Sequence, residues 1–442
     1  MLFLLLLWVN SMLKGLNVLA HTLGCKVNQY ETNAVLELLK EEGCNIVDDT
    51  NSCDIYIVNT CTVTGMSDRK SRQMIRKVRK ENKDVLVVVM GCYAQVAEDE
   101  VSNIEGVNIV IGTADKGKVV QYIKEYKGNV ESYVKEIAKC TSFEDISSVY
   151  MAERTRAVVK IQDGCDNYCS YCIIPYARGP VRSRDKDKII REIQNLVRDG
   201  YKEIVLTGIH IASYGKDKDR RNLTELIYAI SEETGIERIR ISSVEPRIVD
   251  DEFIEMIKNT KSLCKHFHLS MQSGSDDVLK RMNRKYTTKE YMEAVERIRG
   301  VAPDAAITTD IIVGFPGETD EQFEETYVFV KRVKFSDVHI FKYSPRKGTV
   351  AAKFKDQVLG SVKDERSHRL IKLGEELRNE FLKDRIGEVK EVLVERKTEN
   401  LLEGLTDNYV KVFFEGEEDK IDTVCRVKLN ELYSTGVLGE ED

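Results

Sequence analysis

Three cysteines lie close together in the segment QDGCDNYCSYCIIPYARGPVRSR, which runs from Gln162 to Arg184. Cys165, Cys169 and Cys172 are separated by three and then two residues, with no histidine or further cysteine inside the segment. A structural zinc site closes with four ligands, whereas three thiolates on a four-iron cluster leave one iron open. The spacing therefore favours an iron–sulfur cluster with an open iron, and zinc with a distant fourth ligand is the alternative.

A second set of cysteines follows three strand-like stretches near the N-terminus. Cys25, Cys61 and Cys92 stand at or just after the ends of NVLAHTLG, DIYIVNTC and DVLVVVMGC. Stretches with helical periodicity separate them, and this order predicts a parallel sheet with helices on its faces. Sites in such sheets form at the carboxyl ends of the strands, so we expect the three thiols to meet at one edge. The alternative is that they are ordinary core cysteines.

A second alternating series of strands and helices runs from about residue 157 to residue 346. Its six strand candidates are AVVKIQDGC, EIVLTGIHI, RIRISSVEP, KHFHLSMQSGS, AAITTDIIVGFPGE and DVHIFKYSPR. Six β/α units with polar or glycine residues after each strand predict a partial barrel whose chemistry lies at the carboxyl ends of the strands. The loop with Cys165 follows the first of these strands, so it faces the predicted site.

The rest of the chain predicts one long helix and a small β-barrel. A polar helix over about residues 363–383 precedes short strands with turns, a pattern typical of barrels that bind oligonucleotides. The expected fold class is α/β with three domains: an N-terminal sheet domain over 15–128, a (β/α)6 partial barrel over 151–380 and the β-barrel over 381–442. Residues 1–14 are expected to be a leader.

The leader begins with an apolar run, from Leu2 to Val9, that is far shorter than the roughly 20 residues needed to span a bilayer. It also lacks the positive region and cleavage site of a secretory signal. A mis-assigned start, with Met12 as the initiator, is the favoured interpretation, and a weak membrane anchor is the alternative. No stable membrane association is expected.

Composition places the protein among reduced, intracellular enzymes. The chain has 442 residues, 11 cysteines and a formal net charge of −7. An odd cysteine count without regular short spacing argues against a disulfide scaffold and for the cytoplasm. Five cysteines match no ligand spacing and are predicted to be structural: Cys44, Cys53, Cys140, Cys264 and Cys425.

Nearly the whole chain resembles the methylthiotransferases of the radical S-adenosylmethionine superfamily. The resemblance lies in HTLGCKVNQYET, NTCTVT, MGCYAQ, GCDNYCSYCIIPYARGPVRSR, SSVEP, LSMQSGSD, DIIVGFPGET and FKYSPRKGT. It implies two 4Fe–4S clusters and S-adenosyl-L-methionine. Cys165, Cys169 and Cys172 would hold the cluster that cleaves the cofactor to a 5′-deoxyadenosyl radical. Cys25, Cys61 and Cys92 would hold the auxiliary cluster that carries the sulfur to be inserted.

Contacts to the cofactor are expected at the ends of the barrel strands. Glycine permits close backbone approach, and polar side chains there suit the ribose, amine or carboxylate of the cofactor. The candidates are Gly208, Ser242, Glu245, Gln272, Asp310 and Gly314. Each has the alternative of a simple turn cap. Arg284 is a candidate partner for the cofactor carboxylate, with plain surface charge as the alternative. No catalytic residue is predicted.

Three substrates occur in the family: isopentenyl-adenosine in tRNA, threonylcarbamoyl-adenosine in tRNA and an aspartate of a ribosomal protein. The motif TLGCKVNQYET is similar to the threonylcarbamoyl branch, as are NTCTVTGMSDRKSRQ and PYARGPVRSR. The resemblance thus implies methylthiolation of carbon 2 of threonylcarbamoyl-adenosine 37 of tRNA. The alternatives are the isopentenylated adenosine, a non-catalytic iron–sulfur or zinc RNA-binding protein, and electron transfer alone.

Binding to the anticodon loop of tRNA would depend on a local cluster of positive charges, because the chain as a whole is negatively charged. The predicted helix after Cys61 carries seven cations that suit phosphate contacts: Arg69, Lys70, Arg72, Arg76, Lys77, Arg79 and Lys80. An ordinary solvated helix is the alternative. Three arginines are expected to add charge beside the second cluster, namely Arg178, Arg182 and Arg184.

Tyr168, Tyr171 and Tyr176 are candidates for stacking on a splayed base. The C-terminal barrel resembles the TRAM RNA-binding module, yet residues 385–442 hold 8 Lys/Arg against 15 Asp/Glu. This acidic copy is expected to bind RNA through one local face or to pack mainly against the barrel. The chemistry also implies a reductant protein such as flavodoxin or ferredoxin.

Overall fold

The computed structural model describes residues 13–146, 155–218 and 222–442. Most of the expected leader, including Met12, lies outside these ranges. Leu13 is inside them and is buried in the core under the first sheet. None of the described helices is long and apolar enough to cross a membrane.

The N-terminal sheet has six parallel strands in the order β2-β1-β3-β4-β5-β6. The strands are β1 (Asn17–Thr22), β2 (Asn45–Ile46), β3 (Ile55–Thr60), β4 (Leu86–Gly91), β5 (Ile109–Ile111) and β6 (Glu131–Tyr133). The helices are α1 (Lys26–Glu41), α2 (Gly65–Glu81), α3 (Cys92–Val96), α4 (Glu98–Ser102) and α5 (Val119–Glu125). The predicted parallel sheet is confirmed, and it extends past residue 128 because β6 joins its edge.

Both faces of this sheet are covered, which explains why its strands are apolar throughout. In β3, Ile55 and Ile57 pack on one face with α1 and α5, while Tyr56 and Val58 pack on the other with α2. Parallel strands that are buried on both faces lose the alternation of polar and apolar residues. The carboxyl ends of β1, β3 and β4 therefore emerge from a rigid, buried layer beside three cysteines.

The second part of the chain forms the predicted partial barrel. Its strands are β7 (Arg156–Lys160), β8 (Gln162–Asp163), β9 (Arg182–Ser183), β10 (Glu203–Thr207), β11 (Arg238–Ile241), β12 (His266–His268), β13 (Ala306–Val313) and β14 (Asp337–Lys342). Two parallel three-stranded sheets, β11-β10-β7 and β12-β13-β14, are joined by bridges such as Val244 to Leu269. Six parallel strands thus follow one another around an incomplete barrel.

Helices cover the outside of the barrel and bury a large aliphatic core. They are α6 (Ile174–Arg178), α7 (Lys186–Arg198), α8 (Leu223–Glu233), α9 (Asp251–Asn259), α10 (Asp276–Arg281), α11 (Thr288–Val301) and α12 (Asp320–Val333). Two of them begin with reciprocal capping boxes, Thr287 with Glu290 and Thr319 with Gln322. These caps satisfy otherwise unpaired amides in the first turn, and so fix where each helix starts.

The long helix α13 (Gly360–Lys383) leads into a closed five-stranded barrel with the order β15-β16-β17-β19-β18. Its strands are β15 (Val389–Thr398), β16 (Leu401–Thr406), β17 (Lys411–Glu415), β18 (Val424–Tyr433) and β19 (Gly436–Glu441). Arg240 of β11 donates to the carbonyls of Thr406 and Asp407. The small barrel therefore packs against the partial barrel through β11.

Candidate functional site

The first cysteine trio lies at the carboxyl ends of three strands. Cys25 caps α1 directly after β1, Cys61 follows β3, and Cys92 begins α3 after β4. Burial, with smaller contributions from the neighbouring thiols, raises the pKa of Cys61 and raises that of Cys92 to about 11, although the charge of Arg178 acts in the opposite direction on both. The structure thus brings together the three cysteines that the sequence singled out.

The second trio lies on the loop between β8 and α6. Burial raises the pKa of Cys165 and of Cys172 to about 12, with a smaller contribution from Cys169. Gly164 has a φ of +74°, and a Cβ atom there would stand 1.8 Å from the carbonyl oxygen of Pro180. The returning backbone thus crosses directly over the start of the loop, and glycine is needed at this position.

The spacing of the thiols bears on the choice between one zinc ion and a multi-iron cluster. Ligands of one tetrahedral zinc at about 2.3 Å lie within about 4 Å of one another. Among the described His, Cys, Asp and Glu residues, neither cysteine trio has all its ligand atoms within 4.8 Å. Soft thiol donors at this wider spacing fit a 4Fe–4S cluster in each trio, since each thiolate binds a different iron.

One cavity of about 260 Å³ borders both cysteine loops. Val63 and Thr64, which follow Cys61, form one wall, while Tyr171 and Cys172 form the facing wall. Gln272, Asp310, Ile312 and residues 341–344 of the barrel complete the lining. A substrate in this cavity would lie beside Cys172 and beside the residues that follow Cys61.

Arg178 connects the two trios directly. It ends α6, the helix that follows Cys172, yet its Nε atom donates to Sγ of Cys92 at 3.3 Å. Its Nη2 atom donates to Oδ1 of Asn28 at 2.6 Å and to Oε2 of Glu31 at 3.0 Å. The side chain is fully buried between the first sheet and the partial barrel.

A buried ion network surrounds Arg178. Its carboxylates are Glu31 and Asp163, and its cations are Arg178, Lys116, Lys160 and Arg182. Burial raises the pKa of Glu31, but Arg178, Lys116 and Lys160 outweigh it and hold this pKa far below its usual range. Within this network Arg178 places its positive charge beside Cys92, and this charge favours the thiolate form of that cysteine.

A second buried arginine supports the Cys165 loop. Arg284 donates from Nη1 to Sγ of Cys169 at 3.4 Å and pairs with Glu245 at 3.0 Å. Glu245 also accepts from Asn167, inside the cysteine loop, at 2.9 Å. Burial raises the pKa of Glu245, but the hydrogen bond from His210 and the charge of Arg284 lower it to about 2. The interpretation of Arg284 as surface charge is wrong, because its side chain is buried.

The other predicted cofactor residues differ in their surroundings. Gln272, with a φ of +71°, and Asp310 line the shared cavity. Ser242 lies half-buried directly after β11. Gly208 packs on Gln162, whose carbonyl oxygen would be 2.9 Å from an added Cβ, and Gly314 packs on Lys363 of α13.

The basic helix is α2, and it starts just after the Cys61 loop. Five of its predicted RNA-binding cations are exposed: Arg69, Lys70, Arg76, Lys77 and Lys80. Arg72 instead bonds to Tyr93 and Glu100, and Arg79 bonds to the carbonyl of Val85. The helix therefore presents an exposed basic surface beside the first trio.

The expectation of a second basic surface at Arg178, Arg182 and Arg184 is wrong. All three side chains are buried, and Arg184 pairs with Glu192 and Asp145. Each arginine forms ion pairs with carboxylates inside the protein, and its side chain is not exposed to solvent. The three arginines therefore add no exposed positive charge beside the second trio.

Two of the candidate stacking tyrosines are exposed beside the second trio. The rings of Tyr168 and Tyr176 meet edge to face with centroids 5.8 Å apart, while Tyr171 lines the cavity. The five cysteines predicted to be structural are free thiols; Cys140 is half-buried and the rest are buried.

Comparisons with known proteins place the chain in a family. A family model described as "Radical SAM superfamily" matches residues 159–330, and one described as "Uncharacterized protein family UPF0004" matches residues 17–112. The threonylcarbamoyladenosine tRNA methylthiotransferase MtaB of Bacillus subtilis is 46% identical, with 92% of each chain covered. The protein of that name from Thermotoga maritima is 39% identical, over 94% of this chain and 95% of the other.

More distant relatives include a tRNA-2-methylthio-N(6)-dimethylallyladenosine synthase of Clostridium botulinum, 36% identical over 97% of this chain and 98% of the other. Among solved structures, the radical S-adenosylmethionine methyltransferase TsrM of Kitasatospora setae has a TM-score of 0.56 at 14% identity, covering 75% of this chain and 74% of the other. That likeness supports the fold alone. These matches show that the chain belongs to the radical SAM methylthiotransferase family, in the threonylcarbamoyladenosine tRNA branch, whose cofactors are S-adenosylmethionine and 4Fe–4S clusters.

Proposed function

We propose that the protein methylthiolates carbon 2 of N6-threonylcarbamoyladenosine at position 37 of tRNA. The observation that carries the proposal is the cavity bordered by both cysteine loops. Sulfur insertion at an unactivated carbon needs a radical source and a sulfur source on either side of one substrate atom. The names of the relatives at 39–46% identity support the choice of substrate.

When bound, the clusters and the cofactor supply reductive radical chemistry and the sulfur, and the chain supplies position and charge. We assign Cys165, Cys169 and Cys172 to the cofactor cluster and Cys25, Cys61 and Cys92 to the auxiliary cluster. Arg284 and Glu245 hold the loop that carries Cys169 of the second trio. Arg178 holds the first trio to the barrel and places positive charge beside Cys92.

Cofactor contacts are proposed at the mouth of the barrel. Gln272 is the strongest candidate because it lines the cavity with its backbone held by Asp310 and Ile312. Ser242 and Gly208 stand at neighbouring strand ends. Glu245 and Gly314 are better assigned to support, since Glu245 is already paired with Arg284 and Gly314 packs on Lys363.

The anticodon loop is proposed to approach over α2. Its exposed cations would contact phosphates beside the first trio, and the exposed rings of Tyr168 and Tyr176 offer stacking surfaces beside the second. The acidic β-barrel packs on the partial barrel, where Arg240 of β11 donates to its backbone, and this favours a mainly structural role for it. A flavodoxin- or ferredoxin-class donor in the cytoplasm would supply the electrons.

The decisive experiment is mass spectrometry of tRNA nucleosides from cells that lack the protein. We expect the methylthio-threonylcarbamoyl nucleoside to disappear and to return when the wild-type gene is restored. The methylthio-isopentenyl nucleoside should stay unchanged and serves as the internal control. Loss of the isopentenyl derivative instead would overturn the choice of substrate in favour of the second branch.

A further inference from the structure

Two histidines and one aspartate converge on the open side of the partial barrel. His268, Asp310 and His339 come from the adjacent strands β12, β13 and β14, and Asp310 is directly opposite His339 in the register. Nε2 of His268 is 3.3 Å from one carboxylate oxygen of Asp310, and Nδ1 of His339 is 3.3 Å from the other. One ligand atom from each residue lies within 4.8 Å of the others.

This spacing matches the ligands of a single metal ion. Ligands at about 2.0–2.1 Å from one tetrahedral ion lie about 3.3 Å from each other. Two imidazoles with one carboxylate are typical of zinc and of iron(II), and not of magnesium or calcium, which prefer oxygen ligands. The cysteine trios lack this tight packing, so the three residues form a different kind of site.

One of the two histidines has a hydrogen-bond partner behind it, as metal-binding histidines commonly do. Thr308 places its hydroxyl 3.0 Å from Nδ1 of His268 and can accept a hydrogen bond from it, which leaves Nε2 free to bind a metal. The same hydroxyl is 2.9 Å from Nε2 of the buried His266. Asp337 lies 3.9 Å from Nε2 of His339, which is too far for a direct hydrogen bond. A ligating histidine commonly donates its other ring N–H to a hydrogen-bond acceptor, as His268 can to Thr308.

We propose that His268, Asp310 and His339 bind one divalent transition-metal ion of the zinc or iron(II) class, separate from both cysteine clusters. The ligands stand on three hydrogen-bonded parallel strands, so little reorganisation is needed to bind the ion. Three protein ligands leave a coordination position for water or another oxygen donor. Asp310 also lines the cavity between the two cysteine loops, so the ion lies beside the space proposed for the substrate.

The site also gives the carboxylate of Asp310 a role. Each of its carboxylate oxygens lies 3.3 Å from a histidine nitrogen, so an ion held by the two histidines would engage this carboxylate as well. His268 is largely buried and His339 is half-exposed, which leaves a route for an ion from solvent.

The test is zinc binding by the full-length protein with both clusters assembled, after treatment with a chelator. Zinc is titrated against a chromogenic competitor, and bound zinc and iron are then measured by mass spectrometry. We expect one tight zinc per chain in the wild type and at least about tenfold weaker binding in His339→Gln. His368→Gln, on the exposed face of α13, is the matched control and should bind like the wild type.

Iron content separates this site from the clusters. It should be the same in wild type, His339→Gln and His268→Gln, because the cysteine trios are unchanged. Equal zinc affinity in wild type and His339→Gln would overturn the proposal, as would the absence of a zinc equivalent in the wild type. If His268→Gln fails to fold, the half-exposed His339 still decides the question.

Discussion

The Nε atom of Arg178 donates a hydrogen bond to Sγ of Cys92 across 3.3 Å, although Arg178 belongs to the helix that follows Cys172. A single side chain thus reaches from the loop of one cysteine trio to a ligand of the other. The contact fixes the first sheet against the partial barrel beside Cys92. The proposed reaction requires a fixed distance between the two cysteine trios, and this contact helps to maintain it.

Replacing Arg178 by glutamine should destabilise the protein by about 3–5 kcal/mol, because the buried carboxylate of Glu31 then loses one of the cations that it pairs with. Urea unfolding of the wild type and the variant measures the loss. Arg191→Gln is the matched control, since Arg191 is exposed on α7, and it should change stability by less than about 0.5 kcal/mol.

Arg178→Lys should separate charge from geometry. Lysine keeps a cation but cannot donate to Cys92, Asn28 and Glu31 at once. We expect partial recovery of stability together with a shifted reduction potential of the auxiliary cluster, measured by EPR-monitored titration. An unchanged potential in Arg178→Lys would contradict the role of the hydrogen bond to Cys92.

Cys25→Ala should stop sulfur insertion while sparing reductive cleavage of S-adenosylmethionine. Cys25 belongs to the trio at the end of the first sheet, and the loop with Cys165 is held separately by Arg284. Formation of 5′-deoxyadenosine and of methylthiolated tRNA are measured in the same reaction. Cys140→Ser, outside both trios, is the control, and equal loss of both products in Cys25→Ala would refute the division of labour.

Removing two exposed cations of α2 should weaken tRNA binding in a salt-dependent way. In the double variant Lys70→Gln with Arg76→Gln, the logarithm of the tRNA association constant should depend less steeply on the logarithm of the salt concentration. The magnitude of the slope should decrease by about 1.4–1.8, at about 0.7–0.9 per phosphate contact. Filter binding at several salt concentrations measures it. The double variant Lys258→Gln with Lys289→Gln changes the net charge equally on the distal helices and should keep the wild-type slope.

Glu245 predicts a pH-dependent contribution to stability. Its pKa falls from the ordinary 4.5 to about 2 in the folded protein, where burial opposes ionisation and the hydrogen bond from His210 and the charge of Arg284 favour it. A lowered folded pKa stabilises the protein above pH 4.5, and this contribution is lost as the pH falls towards 2.

The full contribution is on the order of 3 kcal/mol. Urea unfolding of the cluster-free wild type and of Glu245→Gln should therefore differ most above pH 5, and the difference should shrink at pH 3. A difference that is constant over this range would show that the carboxylate charge is not what Arg284 and His210 stabilise.

Two glycines with positive φ offer a matched test of the loop geometry. Gly164→Ala and Gly200→Ala share the strain of a left-handed alanine, about 1–2 kcal/mol. An added Cβ at Gly200 meets nothing within 4 Å, whereas at Gly164 it meets the carbonyl of Pro180 at 1.8 Å. Gly164→Ala should thus cost about 2–5 kcal/mol and reduce the iron content, while Gly200→Ala keeps its iron.

Several features were predictable because they depend on local patterns. The apolar runs that end at Cys25, Cys61 and Cys92 form parallel strands, and the six later strands form a partial barrel, as their periodicity indicates. The carboxyl ends of parallel strands share one edge, so the cysteines meet without knowledge of any tertiary contact. The exposed basic face of α2 follows in the same way from helical spacing.

Other features depend on how two separate layers pack. Arg178 is 147 residues from Glu31 in the chain, and both are ordinary surface residues by their type alone. The same holds for Arg284, whose partners Cys169 and Glu245 come from other loops, and for the histidines on β12 and β14. A charged side chain can be buried only where another group pairs with it, and a local sequence pattern does not identify a partner in a distant element.

The amino-acid sequence by itself therefore determined the two cysteine trios, the strands that carry them and the basic helix, because each follows from local patterns: closely spaced cysteines, apolar runs that end at a cysteine, and helical periodicity. The tertiary structure alone decided which arginines are buried between the domains, where the shared cavity lies and that His268, Asp310 and His339 meet. Those outcomes depend on the register between strands and on the docking of the first sheet against the barrel.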